Sequence, residues 1–354
     1  MTGLVCLCRP GFEPELAAEL SHRAALAEIG GYAKTERNSG LVQFLVADAA
    51  LAAALDRALP WRSLVFARQK LRLLAELAGL DPSDRVTPVI NVLRQRSHAD
   101  KPFVDLVVEH ADSDAARPLA GLARAFGNAL RPALRKAGLL SAVTAARGGV
   151  LHIVLLDGDH LLVCDAQTGD SAPWPSGIPR LRMASDAPSR SALKLDEALL
   201  VLLDEGERAR LLKPGMRAAD LGAAPGGWSW VLARHHLRVT SIDNGPMAAS
   251  AMATGLIEHQ RADGFRWQPA QALDWMVCDM VEQPRRVATR MAEWFAHGWC
   301  RHAIFNLKLP MKKRWDETQL CLELLRSQAG KPLNVRAKQL YHDREEITVA
   351  ALSG

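Results

Sequence analysis

Long apolar runs, paired cysteines and a leader-like start are all missing from this chain. Its longest apolar run, GVLHIVLL at 149–156, has the length of a strand and falls short of the roughly 20 residues that a membrane-spanning helix needs. The start, MTGLVCLCRPGFEPE, has no extended apolar core and no small-residue cleavage site, so we expect no secretory signal. The six cysteines are scattered without a CxxC pair, which argues against disulfides and against a zinc site. We therefore expect a protein of the reducing cytoplasm that binds neither a membrane nor a metal.

Acidic residues are scarce in two stretches of a chain whose net charge is +5. Residues 115–156 contain six Lys and Arg and no acid, and residues 281–314 contain eight Lys and Arg against two Glu. Two separate basic stretches on an otherwise balanced chain indicate a polyanionic partner. The alternative for either stretch alone is a solvated helix face.

Residues 1–70 predict a ferredoxin-like domain. GLVCLCR, YAKTER, GLVQFLV and SLVFARQ have the composition of strands, and PELAAELSHRAALAEI and DAALAAALDRALP that of helices. Asp48 is the expected N-cap of the second helix. The resulting order, β-α-β-β-α-β, is that of the ferredoxin-like split motif.

Residues 71–166 predict a second α+β unit, followed by a linker at 167–190 that is rich in Pro, Ser and Gly. DRVTPVINVLRQR is predicted as a helix, PFVDLVVEH as a strand, and residues 149–166 as a hairpin around DGD. A long helix is expected over 117–138, with Pro132 as a possible kink.

A row of arginines follows this long helix. Arg117, Arg124 and Arg131 recur every seven residues, and Arg135 lies one turn beyond Arg131, so they share one face. We expect this cationic stripe to contact an RNA backbone. The alternative is an ordinary polar face opposite a core of Leu and Ala.

Residues 191–354 predict a doubly wound, parallel α/β domain. MRAADLG, LRVTSID, DWMVCDM and HAIFNLKLP are short apolar strands separated by helical stretches, and EEITVAAL is a last strand. Ligands of such sheets bind beyond the carboxyl ends of the strands. The ionisable residues expected there are Asp220, Asp243, Asp263, Asp279 and Lys308.

DLGAAPGGWSW, at 220–230, is either a tight strand-to-helix turn or a cofactor loop. Its glycines allow a ligand to approach the backbone closely, and Asp243 follows at the spacing of a carboxylate that accepts ribose hydroxyls. The GxGxxG pattern of dinucleotide sites is missing. A nucleoside without phosphates, such as S-adenosylmethionine, fits the loop better. We expect Trp228 and Trp230 to pack the following helix against the sheet, and the alternative is that they stack on RNA bases.

Taken in order, SRSALKLDEALL, DLGAAPGGWSW, SID, DWMVCDM and FNLKLP resemble the RrmJ/FtsJ class of RNA ribose 2'-O-methyltransferases. The N-terminal half and the terminal DREEITV narrow the resemblance to the bacterial 23S ribosomal RNA 2'-O-ribose methyltransferase M family. It covers essentially the whole chain. It implies that the unit at 71–166 is a THUMP domain that binds RNA, and that the domain at 191–354 is a Rossmann-like methyltransferase domain.

The resemblance also implies site residues. The Lys-Asp-Lys-Glu tetrad of the class falls on Lys194, Asp279, Lys308 and Glu345, with Glu346 as the alternative glutamate. The implied binding positions for S-adenosylmethionine are Ser191, Ala224, Pro225, Gly226, Gly227, Asp243, Asp263 and Asp279. Lys312, Lys313 and Arg314, just after Lys308, are either a phosphate grip or a loop kept soluble by charge.

The chemistry of a ribose methyltransferase agrees with this set. A 2'-hydroxyl is a poor nucleophile until its proton is removed, and a lysine accepts a proton only if its pKa falls from about 10.4 towards neutrality. Burial and a second ammonium lower that pKa. We therefore expect Lys308 to be the general base.

The resemblance implies a cytidine of 23S ribosomal RNA or its precursor as substrate, methylated before the subunit is assembled. We expect a monomer without an obligate protein partner. The alternatives are a 2'-O-methyltransferase of transfer or messenger RNA, a non-catalytic RNA-binding assembly protein, and a nicotinamide-dependent oxidoreductase, which the missing GxGxxG disfavours.

Overall fold

The structure, a computed structural model, describes residues 2–95, 101–143 and 147–354. The chain divides into one unit over Met1–Pro179 and another over Arg180–Gly354, a boundary that lies inside the predicted linker. The described residues of each unit form a seven-stranded sheet. None of the described helices is long and apolar enough to cross a membrane.

The first unit contains strands β1 to β7 and helices α1 to α4. The strands are β1 (Thr2–Leu7), β2 (Gly31–Thr35), β3 (Leu41–Val46), β4 (Gln69–Leu77), β5 (Asp105–His110), β6 (Gly149–Leu155) and β7 (Leu161–Gln167). The helices are α1 (Glu13–Leu26), α2 (Ala49–Ala58), α3 (Val86–Arg94) and α4 (Ala120–Lys136). The strand order is β2-β3-β1-β4-β7-β6-β5, with β5 and β6 parallel and the other neighbours antiparallel.

The ferredoxin-like order predicted for the start of the chain is confirmed by β1 to β4 and the two helices between them. The prediction of a strand at SLVFARQ is wrong, because β4 begins only at Gln69. The carboxylate of Glu19, buried on α1, accepts hydrogen bonds from the backbone N–H groups of Val65 (2.7 Å) and Phe66 (2.9 Å). These donors are satisfied by a side chain, so the segment needs no strand partner.

Strands from both predicted N-terminal domains belong to one sheet. β4 pairs with β1 on one side and with β7 on the other, and the proposed boundary at residue 70 lies inside β4. The hairpin of β6 and β7 is confirmed. α4 starts three residues later than expected, because Arg117–Leu119 form a separate 3-10 turn, and it continues through Pro132.

The first part of the predicted linker is fastened to the first unit. Asp170 accepts a hydrogen bond from the Trp61 backbone N–H (2.7 Å) and forms an ion pair with the buried amine of Lys70 (2.6 Å). The Ala172 N–H donates to the Gln69 side chain (2.9 Å). These contacts hold Asp170 and Ala172, inside the predicted linker, against the start of β4 and the turn before it.

The second unit is the predicted doubly wound domain. Its strands are β8 (Arg217–Leu221), β9 (Arg238–Ile242), β10 (Ile257–Gln260), β11 (Leu273–Cys278), β12 (Cys300–Lys308), β13 (Asn334–Lys338) and β14 (Glu346–Leu352). Its helices are α5 (Ala192–Leu202), α6 (Glu205–Leu211), α7 (Gly227–Arg234), α8 (Ala249–Met252), α9 (Pro284–Ala296) and α10 (Arg314–Gln328).

The sheet order of this unit is β10-β9-β8-β11-β12-β14-β13. β8 to β12 are parallel, while β14 runs antiparallel to both β12 and β13. The predicted last strand corresponds to β14, whereas β13 was not predicted. The chain leaves β8 towards β9 on one side and returns to β11 on the other. The topological switch point, where such sheets bind ligands, therefore lies between the carboxyl ends of β8 and β11.

Candidate active site

Two lysines and two carboxylates meet at the carboxyl ends of β11 and β12. Asp279 follows β11 and Lys308 ends β12, its parallel neighbour, and their side chains are joined by an Nζ–Oδ1 contact of 3.1 Å. Lys194, on α5, reaches the other Asp279 oxygen at 3.2 Å and a Glu346 oxygen at 2.5 Å. Glu346 is also paired with the Lys308 amine. Lys194, Asp279 and Lys308 are thus brought together as predicted.

The geometry corrects the choice between the two glutamates. Glu346 stands directly opposite Lys308 in the antiparallel register of β12 and β14, and its side chain enters the cluster. Glu345 precedes it, and its side chain pairs with Arg314 instead. Successive side chains of a strand point to opposite faces, so only one of two adjacent glutamates can reach both lysines.

Sequence reasoning missed the polar residues that lie two register positions behind the cluster. Asn306 stands opposite Thr348 in the same pairing, two residues from Lys308 and Glu346. The Asn306 amide donates to Asp279 Oδ1 at 2.8 Å, and the Thr348 hydroxyl lies 2.7 Å from Asn306 Oδ1. Both residues are fully buried in otherwise apolar strands. The sequence signal for them was a polar residue that lies two positions from a site residue and is flanked by apolar residues on both sides.

Lys308 has the altered basicity that proton abstraction requires. Burial lowers the pKa of its ammonium below the usual value, the Asp279 carboxylate opposes this, and the neighbouring Lys194 charge lowers it further. The amine is therefore closer to its neutral, proton-accepting form than an exposed lysine would be.

The glycine loop lies beside this cluster and admits no side chains where its glycines stand. Gly222 has a φ of 76°, and a Cβ there would lie 2.5 Å from Cγ of Met280, the residue after Asp279. Gly226 has a φ of 108° and precedes α7. A Cβ on Gly227 would lie 2.3 Å from the Ser191 hydroxyl. Ser191 is therefore brought against the loop, as the sequence analysis expected of a shared site.

Asp243 is held at the end of β9 by the loop itself. Its Oδ2 accepts a hydrogen bond from the Ala224 N–H (3.0 Å) and its Oδ1 from the Gly245 N–H (2.7 Å). A carboxylate offers about four acceptor positions, so both oxygens can accept further donors. Asp263 lies three residues beyond β10, where it is exposed and caps a turn by accepting from the Phe265 N–H (2.8 Å).

Comparison with known proteins assigns the family. Residues 1–71 match the RlmM ferredoxin-like domain, residues 84–166 the N-terminal region of ribosomal RNA large subunit methyltransferase M, and residues 187–328 the FtsJ-like methyltransferase. The chain is 68% identical over 354 residues to ribosomal RNA large subunit methyltransferase M of Xanthomonas campestris pv. campestris, covering 100% of both chains. The chain belongs to the ribosomal RNA large subunit methyltransferase M family. A relative from Xanthomonas oryzae pv. oryzae is 67% identical, again over the full length of both.

Membership of the methyltransferase M family confirms the resemblance seen in the sequence and makes the second unit an FtsJ-like methyltransferase domain. Among solved structures, TrmN from Thermus thermophilus is similar with 16% identity and a TM-score of 0.38 over 99% of this chain and 100% of that one. A similarity at that level is too low to support an argument.

In this methyltransferase M chain, the predicted cationic stripe is only partly available. Arg124 and Arg135 are exposed on α4. Arg131 is fastened to β5 through Asp105 (2.7 Å) and the Leu106 carbonyl (2.6 Å). Arg117 lies outside α4 and pairs with Asp114 at 2.6 Å.

The basic run after β12 is likewise divided. Lys312 and Lys313 are exposed, whereas Arg314 is buried and paired with Glu345. Arg314 therefore orients the polypeptide ahead of β14 and is not open to a phosphate. Within the described ranges, no cluster of His, Cys, Asp and Glu has the make-up of a metal site.

Asp220 and the two tryptophans of the glycine loop region are buried in the domain. Asp220, at the end of β8, is buried and accepts from the Ser229 hydroxyl (2.6 Å), which also contacts Ser241 (2.6 Å). Burial raises the pKa of Asp220 to about 7. Trp228 and Trp230 are buried on α7, so they pack the helix and do not offer a stacking surface.

Proposed function

We propose that this chain transfers the methyl group of S-adenosylmethionine to the 2'-hydroxyl of a cytidine in 23S ribosomal RNA, before the large subunit is assembled. The convergence of Lys194, Asp279, Lys308 and Glu346 beside the glycine loop carries the proposal. The names of the relatives, which describe methyltransferases of large-subunit ribosomal RNA, support the substrate class.

Lys308 is the general base. Its lowered pKa makes the neutral amine accessible, and that amine accepts the 2'-hydroxyl proton as the oxygen attacks. Lys194, held by Asp279 and Glu346, supplies the second positive charge that disfavours protonation of Lys308. The two carboxylates fix both amines in one place, which aligns the attacking oxygen at the edge of the sheet.

The cofactor residues fit a nucleoside without phosphates. Asp243 would accept the ribose hydroxyls, and the backbone of Ala224, Pro225, Gly226 and Gly227, which binds Asp243 through the Ala224 N–H, would lie against the ligand. Positions Ser191, Asp263 and Asp279 complete the proposed set. S-adenosylmethionine supplies an electrophilic methyl carbon and a neutral thioether leaving group when bound.

RNA is proposed to contact exposed cations in both units. The candidates are Arg124 and Arg135 on the unit at 71–166, which we take as a THUMP-like RNA-binding domain, and Lys312 and Lys313 after β12. Phosphate contacts of this kind position a substrate without selecting its sequence. We expect the protein to act as a cytoplasmic monomer.

Single-turnover methylation of 23S ribosomal RNA from cells that lack the gene tests the proposal. The methylated nucleotide is mapped, and Lys308→Met is compared with Lys213→Met, a matched change at an exposed lysine outside the site. Transfer to one cytidine 2'-hydroxyl by the wild type and by Lys213→Met, and its loss in Lys308→Met, is the expected result. Methylation of transfer or messenger RNA alone, or none by the wild type, would overturn it.

A further inference from the structure

Asp343 is a fully buried acid that the proposed mechanism does not use. It lies in the segment before β14, and its Oδ2 accepts a hydrogen bond from the Leu340 N–H at 3.0 Å. Both of its oxygens lie close to the Thr348 hydroxyl, Oδ1 at 3.1 Å and Oδ2 at 3.0 Å. Thr348 in turn lies 2.7 Å from Asn306 Oδ1, and the Asn306 amide reaches Asp279.

The donors and acceptors along this chain allow one complete arrangement. The carboxylate of Asp279 only accepts, so the Asn306 atom that faces it must be the NH2 group, and the carbonyl oxygen of Asn306 must face Thr348. The single hydroxyl proton of Thr348 then goes to Asn306, because that oxygen is an acceptor. With this proton committed, the Thr348 oxygen can only accept from Asp343, and a carboxyl group donates only when it is protonated.

We propose that Asp343, in its acid form, is a positioning residue for Asp279, acting through Thr348 and Asn306. The Asp343 Oδ1–H donates to Thr348, Thr348 donates to Asn306, and Asn306 donates to Asp279, while Asp343 Oδ2 keeps the Leu340 N–H. This inference rests on the proposed function, because Asp279 orients the two lysines there. When Asp343 is ionised, its carboxylate competes with the Asn306 carbonyl oxygen for the Thr348 hydroxyl proton. Asn306 then loses the hydrogen bond that orients it, and its amide no longer holds Asp279 in place.

The surroundings favour the acid form. Burial raises the pKa of Asp343 to about 7, the Leu340 N–H opposes the rise, and the Glu197 carboxylate adds to it. The Lys194 ammonium and the hydrogen bond with the Thr348 hydroxyl lower it in part. Charged groups that act on Asp343 include Glu197 and Lys194 on α5 and Lys308 on β12, and the buried Lys338 of β13 stands opposite Thr348 in the strand register. Glu197 is itself held by the N–H groups of Tyr341 (2.8 Å) and His342 (2.9 Å) and by the His342 ring (2.7 Å).

Asp343→Asn is the decisive variant. Its amide donates to Thr348 and accepts from Leu340 as the protonated acid does, and it cannot ionise. Ionisation of Lys308 should shape the pH dependence of both proteins alike, so the ratio of the Asp343→Asn rate to the wild-type rate reports on Asp343 alone. In single-turnover methylation this ratio should rise as the pH passes through about 7, where Asp343 of the wild type ionises. A ratio that stays constant with pH would overturn the proposal.

Thr348 supplies a matched pair, since Thr348→Ser keeps the hydroxyl and Thr348→Val removes it at nearly constant volume. Thr348→Val and Asp343→Ala should each lower the turnover rate by about tenfold or more, as loss of an outer-shell partner does at metal sites, with little change in KM. Thr348→Ser should stay near the wild type. An equal loss of turnover rate in Thr348→Ser and Thr348→Val would show that the Thr348 hydroxyl is not part of the hydrogen-bond chain.

A readout without substrate separates failure of this inference from failure of the proposed function. In protein carrying nitrogen-15 asparagine, the side-chain amide signal of Asn306 should shift with a midpoint near that of Asp343 in the wild type and stay constant in Asp343→Asn. A titrating signal in a protein that methylates no RNA would support the hydrogen-bond chain while refuting the function. A signal that is constant in both proteins would refute the chain.

Discussion

Single side chains carry the candidate chemistry, and strand geometry decides which ones. Glu345 and Glu346 are adjacent, yet one pairs with Arg314 and the other with both lysines. Glu346 is the first residue of β14 and Glu345 directly precedes it, and because their side chains have different partners they form a natural pair of test and control.

Glu346→Gln should reduce single-turnover methylation by roughly 10²-fold or more, because the amide no longer balances the two ammonium groups. Glu345→Gln should lower the rate by less, since the Glu345 side chain pairs with Arg314 and not with the two lysines. Rapid-quench assays at saturating RNA and cofactor provide the comparison. A larger loss in the Glu345 variant would reverse the assignment.

Lys308→Arg keeps the charge and removes the proposed general base. The guanidinium stays protonated at all accessible pH values, so this variant should be almost as inactive as Lys308→Met. In the Asp343→Asn background, which removes the second titration, the rate should rise with pH up to the pKa of Lys308, which is lower than that of an exposed lysine. Substantial turnover by the Arg variant would leave Lys308 an electrostatic role only.

Asp243→Ala tests the cofactor site separately from the chemistry. Loss of hydrogen bonds from a charged acceptor to ribose hydroxyls should weaken S-adenosylmethionine binding by about 1.5–3 kcal/mol. Calorimetric titration measures the change, and circular dichroism checks that the variant is folded, because Asp243 also binds two loop N–H groups. Unchanged affinity in a folded variant would remove Asp243 from the site.

Among the elements, α4 carries arginines that the sequence spacing places on one face, but tertiary contacts leave only some of them exposed to solvent. Heptad spacing correctly aligned Arg124 and Arg131, but β5 supplies Asp105 as a partner for the second. The exposed arginines Arg124 and Arg135 are therefore the better candidates for RNA contact.

Replacing Arg124 and Arg135 together by Ala should weaken RNA binding and reduce the slope of log affinity against log salt by up to about 1.4–1.8, because two fewer phosphates are neutralised. S-adenosylmethionine affinity should not change. The control is Arg131→Ala, which should alter thermal stability more than the salt slope, since Arg131 holds β5. Fluorescence anisotropy at several salt concentrations measures both. Identical slopes in all variants would make α4 a solvated face.

On the scale of the whole molecule, buried acids couple folding to pH. The pKa of Asp220 is about 7 in the folded chain and 3.8 as an unperturbed group, with burial as the main cause. The folded state therefore holds a proton that the unfolded state has lost between these values. Its contribution to stability is complete below pH 3.8 and disappears as the pH rises through 7.

Asp220→Asn removes this titration with little change in shape. Between pH 5 and pH 8, the free energy of unfolding of the wild type should fall by roughly 2–3 kcal/mol relative to the variant. Urea denaturation of both proteins across this range measures the difference. Parallel stability curves would show that Asp220 is already ionised in the folded protein.

Much of the architecture was predictable because it follows from local patterns. The strands at LRVTSID and DWMVCDM, the ferredoxin-like order and the APGGW loop depend on alternation, apolar runs and glycine, which are all local in the chain. SLVFARQ failed for a non-local reason, since Glu19 on a distant helix satisfies its backbone donors. β13 also escaped prediction, because NVRAK becomes a strand only by pairing with β14.

The sequence by itself indicated the family, the doubly wound character of the second unit and three candidate site residues, Lys194, Asp279 and Lys308. These follow from motifs whose residues are close in the chain. Only the tertiary structure decided that Glu346 joins them, that Arg131 and Arg314 are occupied, and that Asn306, Thr348 and Asp343 lie in line behind Asp279. Each of these outcomes depends on which residue stands opposite across a strand pair or a helix contact, and the register that sets it is fixed by packing between distant segments.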